Sequence, residues 1–111
     1  MNWKDLLTAQ QLDEIIGLSH QQPQVIFKHS TRCSISSTAW NRLKNTEKLK
    51  GADFYYLDLL AHRPLSGQIA VALDVEHESP QVLLIKKGKC VYDESHLGIT
   101  PDELQDQILN A

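Results

Sequence analysis

Apolar residues fall along this chain in two rhythms, helical stripes and short unbroken runs. Leu12, Ile15 and Ile16 recur at spacings of three and four, which predicts a helix that stops at Gly17. Its start is marked by Thr8-Ala9-Gln10-Gln11, a capping box with Thr8 as N-cap, and Leu7 is placed to staple against Leu12. Beyond Pro23, Val25-Ile26-Phe27 is continuous and bounded by polar residues, as in a strand buried on both faces. Ile35, Ala39, Trp40 and Leu43 return to helical spacing, and Asp53 to Leu59 reads as an aromatic-rich strand. Pro64 suits the first turn of a third helix whose Leu65, Ile69, Ala72 and Leu73 face inward. Val82 to Ile85 is a third apolar strand, and Lys87-Gly88 is a tight turn that pairs it with Lys89 to Tyr92. Thr100-Pro101-Asp102-Glu103 combines N-cap, N1 proline and N3 glutamate ahead of Leu104 and Ile108, the strongest helix start in the chain.

The predicted order is helix–strand–helix–strand–helix–strand–strand–helix. Strands separated by helices imply parallel crossovers, and the closing hairpin adds an antiparallel strand. The expected fold is therefore α/β, a mixed four-stranded sheet flanked by helices on both faces. No repeat or linker divides residues 1–111, so a single domain is expected.

Charge narrows the partners. Eleven basic and fourteen acidic residues leave a net charge of −3, without the basic surplus that displaces counterions from nucleic acid. No apolar run approaches the ~20 residues that span a bilayer, and Met1-Asn2-Trp3-Lys4-Asp5 does not read as a signal sequence. A cytoplasmic protein with no nucleic-acid or membrane partner is expected. The five histidines show no zinc-site spacing, and no metal is expected.

The candidate chemistry is a thiol. Cys33 follows the first strand and the short segment Ser30-Thr31-Arg32, at the start of the second helix. A helix N-terminus and the adjacent Arg32 both favour thiolate over thiol, the species that attacks disulfides. A bare space-filling cysteine is the plainer alternative, but Thr31, Arg32, Ser34 and Ser36 make the surroundings polar. Cys90, in the hairpin strand, reads as an inert half-buried residue and is not expected to pair with Cys33.

The strand–loop–cysteine–helix start, Ser79-Pro80 before a buried strand, and the Lys87-Gly88-Lys89 hairpin together resemble the thioredoxin family. More narrowly, Phe27-Lys28-His29-Ser30-Thr31-Arg32-Cys33-Ser34-Ile35-Ser36 is similar to the YtxJ-like proteins, the monothiol bacilliredoxins of the bacillithiol system. The resemblance runs from about Asp5 to Leu109. It implies a thioredoxin-like fold and a one-cysteine thiol–disulfide oxidoreductase that takes bacillithiol off protein mixed disulfides through Cys33. Bacillithiolated client proteins and a low-molecular-weight thiol would be the partners, with bacillithiol as co-substrate and no tightly bound cofactor. Ser36 stands where dithiol members of the fold carry a second cysteine, and its hydroxyl is expected to donate to the Cys33 sulfur. Ser34 occupies a position that is commonly proline in the family. The resemblance further implies that Pro80 is cis and lies against Cys33, with Thr31, Ser34, Ser79 and Pro80 meeting the substrate. His29 could tune the thiol or simply pack. Asp58 and Glu76 have no specific support as acid–base groups, and Arg42 to Lys50 reads as a solvated basic helix end. Two other functions stay open: a non-catalytic peptide-binding module, and a glutathione-using monothiol glutaredoxin, whose glycine-phenylalanine flank is missing before Cys33.

Overall fold

The computed structural model describes residues 3–110; Met1 and Asn2, on which the expectation of no signal sequence partly falls, and Ala111 lie outside the described residues. Five strands form one sheet in the order β1-β3-β2-β4-β5. They are β1 (Trp3–Asp5), β2 (Gln24–His29), β3 (Asp53–Asp58), β4 (Gln81–Lys86) and β5 (Lys89–Ser95). Four helices accompany them: α1 (Ala9–Leu18), α2 (Ser34–Lys44), α3 (Arg63–Leu73) and α4 (Pro101–Leu109). β1, β3 and β2 run parallel, while β4 and β5 are antiparallel additions.

The expected four strands are thus five. The additional strand, β1, is three residues long and too short to show a period. It forms because Trp3 lies across the sheet surface, its ring 5.1 Å from that of Trp40 and 5.2 Å from Phe54. Packing against distant residues, rather than local propensity, makes this edge.

Alternation along the strands sorts their side chains between two cores. Ile26, Leu57, Leu83 and Ile85 join Leu12, Ile15, Leu65, Ile69 and Leu73 beneath α1 and α3. Val25, Phe27, Phe54, Val82 and Leu84 join Ala39, Leu43, Leu104 and Ile108 beneath α2 and α4. Helices cover both faces, as the alternating order requires.

The helix starts are those read from the sequence. Thr8 accepts the Gln11 amide at 3.1 Å, and the Gln11 side chain reaches back to the Leu7 amide. Thr100 accepts the Glu103 amide at 3.4 Å. Three local expectations fail. α1 continues through Gly17 to Leu18, because burial of Leu12 and Ile15 outweighs the ~1 kcal/mol that an interior glycine costs. Leu7 is exposed, and it is Leu6 that buries beside Leu12. Ala72 faces solvent, leaving Leu65, Ser66, Ile69 and Leu73 as the buried face of α3. The Lys87-Gly88 turn has positive φ at both residues (53° and 81°), the geometry that a two-residue hairpin favours.

Candidate active site at the thiol

Parallel β2 and β3 both point their C-terminal ends at one edge of the sheet, where ligands of open α/β sheets gather. From His29 the chain turns at once: the Cys33 amide donates to the Ser30 carbonyl at 3.1 Å, closing a tight turn over Thr31 and Arg32. Cys33 is then the N-cap of α2, with extended φ and ψ (−107°, 123°), and its carbonyl accepts the Ser37 amide. The N-cap position is at the positive end of the helix dipole, although the Cys33 side chain makes no hydrogen bond to the first-turn amides. The Cys33 thiol is free, half-buried and ringed by exposed Thr31, Arg32 and Ser34.

Ser36 does not serve as expected. Its side chain is fully buried, and its Oγ accepts the Ser30 amide at 2.9 Å and lies 2.7 Å from His29 Nδ1. Those two partners, rather than the Cys33 sulfur, hold the hydroxyl. The reason is geometric. α2 lies over the sheet face to which Phe27 and His29 point, so the inward side of its first turn meets the His29 ring. Ser36 therefore ties three pieces together: the end of β2, the turn and the first helical turn behind Cys33. His29 is buried and stacked on Phe27, with Trp40 and Tyr56 also against it. Burial pulls its basicity below the usual histidine value, partly offset by Asp58, and Lys44 lowers it further.

Ser79-Pro80 is a cis peptide, as expected. Gln81, the residue after it, pairs with Lys28 across the antiparallel β2–β4 ladder. The proline therefore enters the sheet opposite the His29 end of β2, at the edge that carries Cys33. Pro80 is buried and its carbonyl accepts the His96 amide at 3.0 Å. Ser79 is half-buried, with a side-chain oxygen shielded from solvent.

Cys90 lies at the opposite end. It pairs with Ile85, which in turn pairs with Gln24 at the start of β2. The length of β2, about 16 Å at ~3.3 Å per residue, separates the two ends. That exceeds the ~7 Å Cα separation a disulfide tolerates. Burial, with Asp93 nearby, pushes the Cys90 thiol up to about 11.

Two further polar groups went unread in the sequence. Lys28, which follows the apolar run Val25-Ile26-Phe27, is fully buried. Its Nζ donates to the Ser66 carbonyl at 3.3 Å and lies 3.2 Å from His77 Nδ1. Arg42, read as part of a solvated end, donates to the carbonyls of Leu97 and Ile99 and pins the single turn His96–Gly98 against α2. Asp58 accepts the Leu60 amide in a turn, and the Glu76 side chain is exposed, so neither forms a buried acid–base group.

A free thiol at a helix start and a cis proline thus share one edge of the sheet. Residues 4–104 match the family model described as monothiol bacilliredoxin BrxC. The chain belongs to that family. Among solved structures, it is similar to a candidate oxidoreductase with a thioredoxin fold, at 29% identity and TM-score 0.82, over 93% of this chain and 90% of that one. The Fasciola hepatica thioredoxin is 18% identical, with TM-score 0.74 and 95% of each chain covered. A thioredoxin variant from Halobacterium salinarum is 15% identical, with TM-score 0.73, over 95% of this chain and 86% of that one. The last two establish the fold alone. The bacilliredoxin is thus a thioredoxin-like α/β protein of a thiol–disulfide oxidoreductase family. Among the described residues, no helix is long and apolar enough to cross a membrane.

Proposed function

We propose that Cys33 works alone in a two-step exchange that removes bacillithiol from capped protein thiols. In the first step the Cys33 thiolate attacks the bacillithiol sulfur of a protein mixed disulfide. A sulfur–sulfur bond forms to Cys33, the old one breaks, and the client leaves as a thiolate that takes a proton from water. In the second step a low-molecular-weight thiol attacks the Cys33 adduct. It departs as a disulfide with bacillithiol and returns Cys33 as thiolate. Over the two steps Cys33 is unchanged: the client sulfur is reduced, the small thiol's sulfur is oxidised in its place, and one disulfide replaces another, so no bound redox group is needed.

One observation carries this reading: Cys33 caps α2 at the proline edge, while the other thiol, Cys90, sits at the far end of the sheet. The start of α2 favours negative charge at this position, and Arg32, the preceding residue, adds an exposed cation to the same edge. Ser34 and Thr31 border the approach, and Ser79 would offer backbone groups to an extended client segment. The cycle belongs in the reducing cytoplasm, where protein thiols are kept free.

The test is intact mass spectrometry of the reduced protein incubated with a bacillithiolated model substrate, and in parallel with a glutathionylated one. A single bacillithiol adduct on Cys33, stable until a small thiol is added, is expected. No adduct from the bacillithiolated substrate would refute the reading. Equal or better transfer from the glutathionylated substrate would move the protein to the glutaredoxin alternative.

A further inference from the structure

The segment joining α3 to β4, residues 74–80, carries the cis proline and is fastened from several sides. At its start the Val75 amide donates to the Ala70 carbonyl at 3.1 Å. On the outside, His96 Nε2 lies 3.7 Å from a Glu78 carboxylate oxygen. From within the sheet, buried Gln81 donates through Nε2 to the Glu76 carbonyl at 3.0 Å. Beside Gln81, on the same sheet face and directly paired with it, Lys28 reaches His77.

A buried ammonium is costly and has to have a use in the fold. Lys28 has only donors to offer, so its contact at 3.2 Å makes His77 Nδ1 an acceptor and puts the histidine proton on Nε2. The Ser66 hydroxyl lies 3.3 Å from the same nitrogen. The imidazole is thus a bridge from β2 and α3 to the middle of the proline segment, three residues before Pro80.

We propose that Lys28 is a positioning residue for the thiol exchange, setting the cis-proline segment against Cys33 through neutral His77. The inference rests on Cys33 and Pro80 forming the reaction site, and adds the means by which the two walls of that site are held in register. His77 is faced by Lys28 from β2, by Arg63 from α3, and by Glu78 on its own segment, two cations against one carboxylate. Protonating His77 removes its acceptor and sets it against the Lys28 cation, which releases the segment.

The experiment uses the full chain and three variants, His77→Ala, His77→Asn and Lys28→Met. Three quantities are read: transfer from a protein mixed disulfide to Cys33, alkylation of Cys33 by iodoacetamide, and hydrogen exchange of the Glu78 and Ser79 amides. Small-molecule alkylation needs the thiol but not the proline segment. His77→Ala and Lys28→Met should slow transfer about tenfold, as loss of one charge-assisted hydrogen bond predicts, and quicken the amide exchange. Alkylation should stay within about twofold in every variant, because Cys33 itself is untouched. His77→Asn, whose side-chain oxygen can accept from Lys28, should restore most of the transfer and the protection. Unchanged amide exchange in His77→Ala would overturn the inference. So would a fall in alkylation that matches the fall in transfer. Should Lys28→Met not fold, the His77 pair decides, since that side chain is largely exposed. Failure of the unaltered protein to take up any mixed disulfide would refute the proposed function instead, and the amide-exchange arm would still decide this one.

Discussion

Lys28→Met should make the bacilliredoxin more stable at neutral pH and less stable in alkali. Lys28 is fully buried, and burial pulls its amine from 10.5 to about 8. Between those values the unfolded chain holds a proton that the folded chain has given up. Stability of the unaltered protein therefore rises with pH from about 8 to 10.5, and the full benefit is lost again as pH falls through 8. The difference of 10.5 − 8 corresponds to about 3 kcal/mol. Methionine has similar length and no charge, so it removes that penalty. It also removes the bonds to Ser66 and His77, at about 1 kcal/mol each. The variant should thus gain about 1 kcal/mol at pH 7 and lose about 2 kcal/mol at pH 10.5. Urea unfolding of both proteins at pH 7, 8.5, 9.5 and 10.5 measures this. The Tyr92 hydroxyl, held up near 12 by burial and nearby carboxylates, and the Cys90 thiol, near 11, also titrate in alkali. They do so in both proteins, so the difference isolates Lys28. A stability difference that stays flat from pH 7 to 10.5 would refute the claim that a buried cation is the cause.

Ser36→Ala should cost about 1–3 kcal/mol, because the Ser30 amide and the His29 ring nitrogen each lose a buried partner; chemical unfolding at pH 7 reads it. Burial, the largest cause in each case, holds His29 and His77 below the ordinary histidine value of 6.5. The folded chain therefore binds protons on these rings less readily than the unfolded one, so stability should fall as pH drops below 6.5, and His77→Asn should shallow that fall in unfolding measured from pH 7 to 5. Cys33 should be alkylated well before Cys90 at pH 8, as peptide mapping would show, since burial holds the Cys90 thiol up near 11. Cys90→Ser should leave transfer to Cys33 unchanged.

What could be read in the sequence was whatever a few neighbouring residues decide. Thr8 with Gln11, and Thr100 with Glu103, announce helix starts because the bond they make closes within one turn. The position of Cys33 was legible for the same reason: an apolar run, a polar turn and a helical stripe fix where a strand gives way to a helix. The cis bond at Pro80 has no local signature and came from the family resemblance alone. Interactions across the sheet were not legible. β1 depends on Trp3 meeting Trp40 and Phe54. The Ser36 hydroxyl was assigned to the nearby sulfur, and only the placement of α2 over β2 shows that His29 and Ser30 hold it. Lys28 looked like the polar end of an apolar run, yet α3 and the proline segment bury it.

These unread contacts follow from one property of β2. Successive residues of a strand point to opposite faces, so Lys28 and His29, adjacent in sequence, serve opposite walls of the site. His29 faces α2 and, through Ser36, ties down the turn and the helix start behind Cys33. Lys28 faces α3 and, through His77, ties down the segment that ends in Pro80. Moving the strand by one residue would exchange the two faces and put a cation beneath the thiol's helix and an imidazole beneath the proline segment. The Lys28 contact needs an uncharged His77, since an ammonium can only donate to that Nδ1, whereas the Ser36 hydroxyl can donate to or accept from His29. The last two residues of β2, Lys28 against His77 and His29 against Ser36, thus fasten the two walls of the site from opposite sides of the sheet.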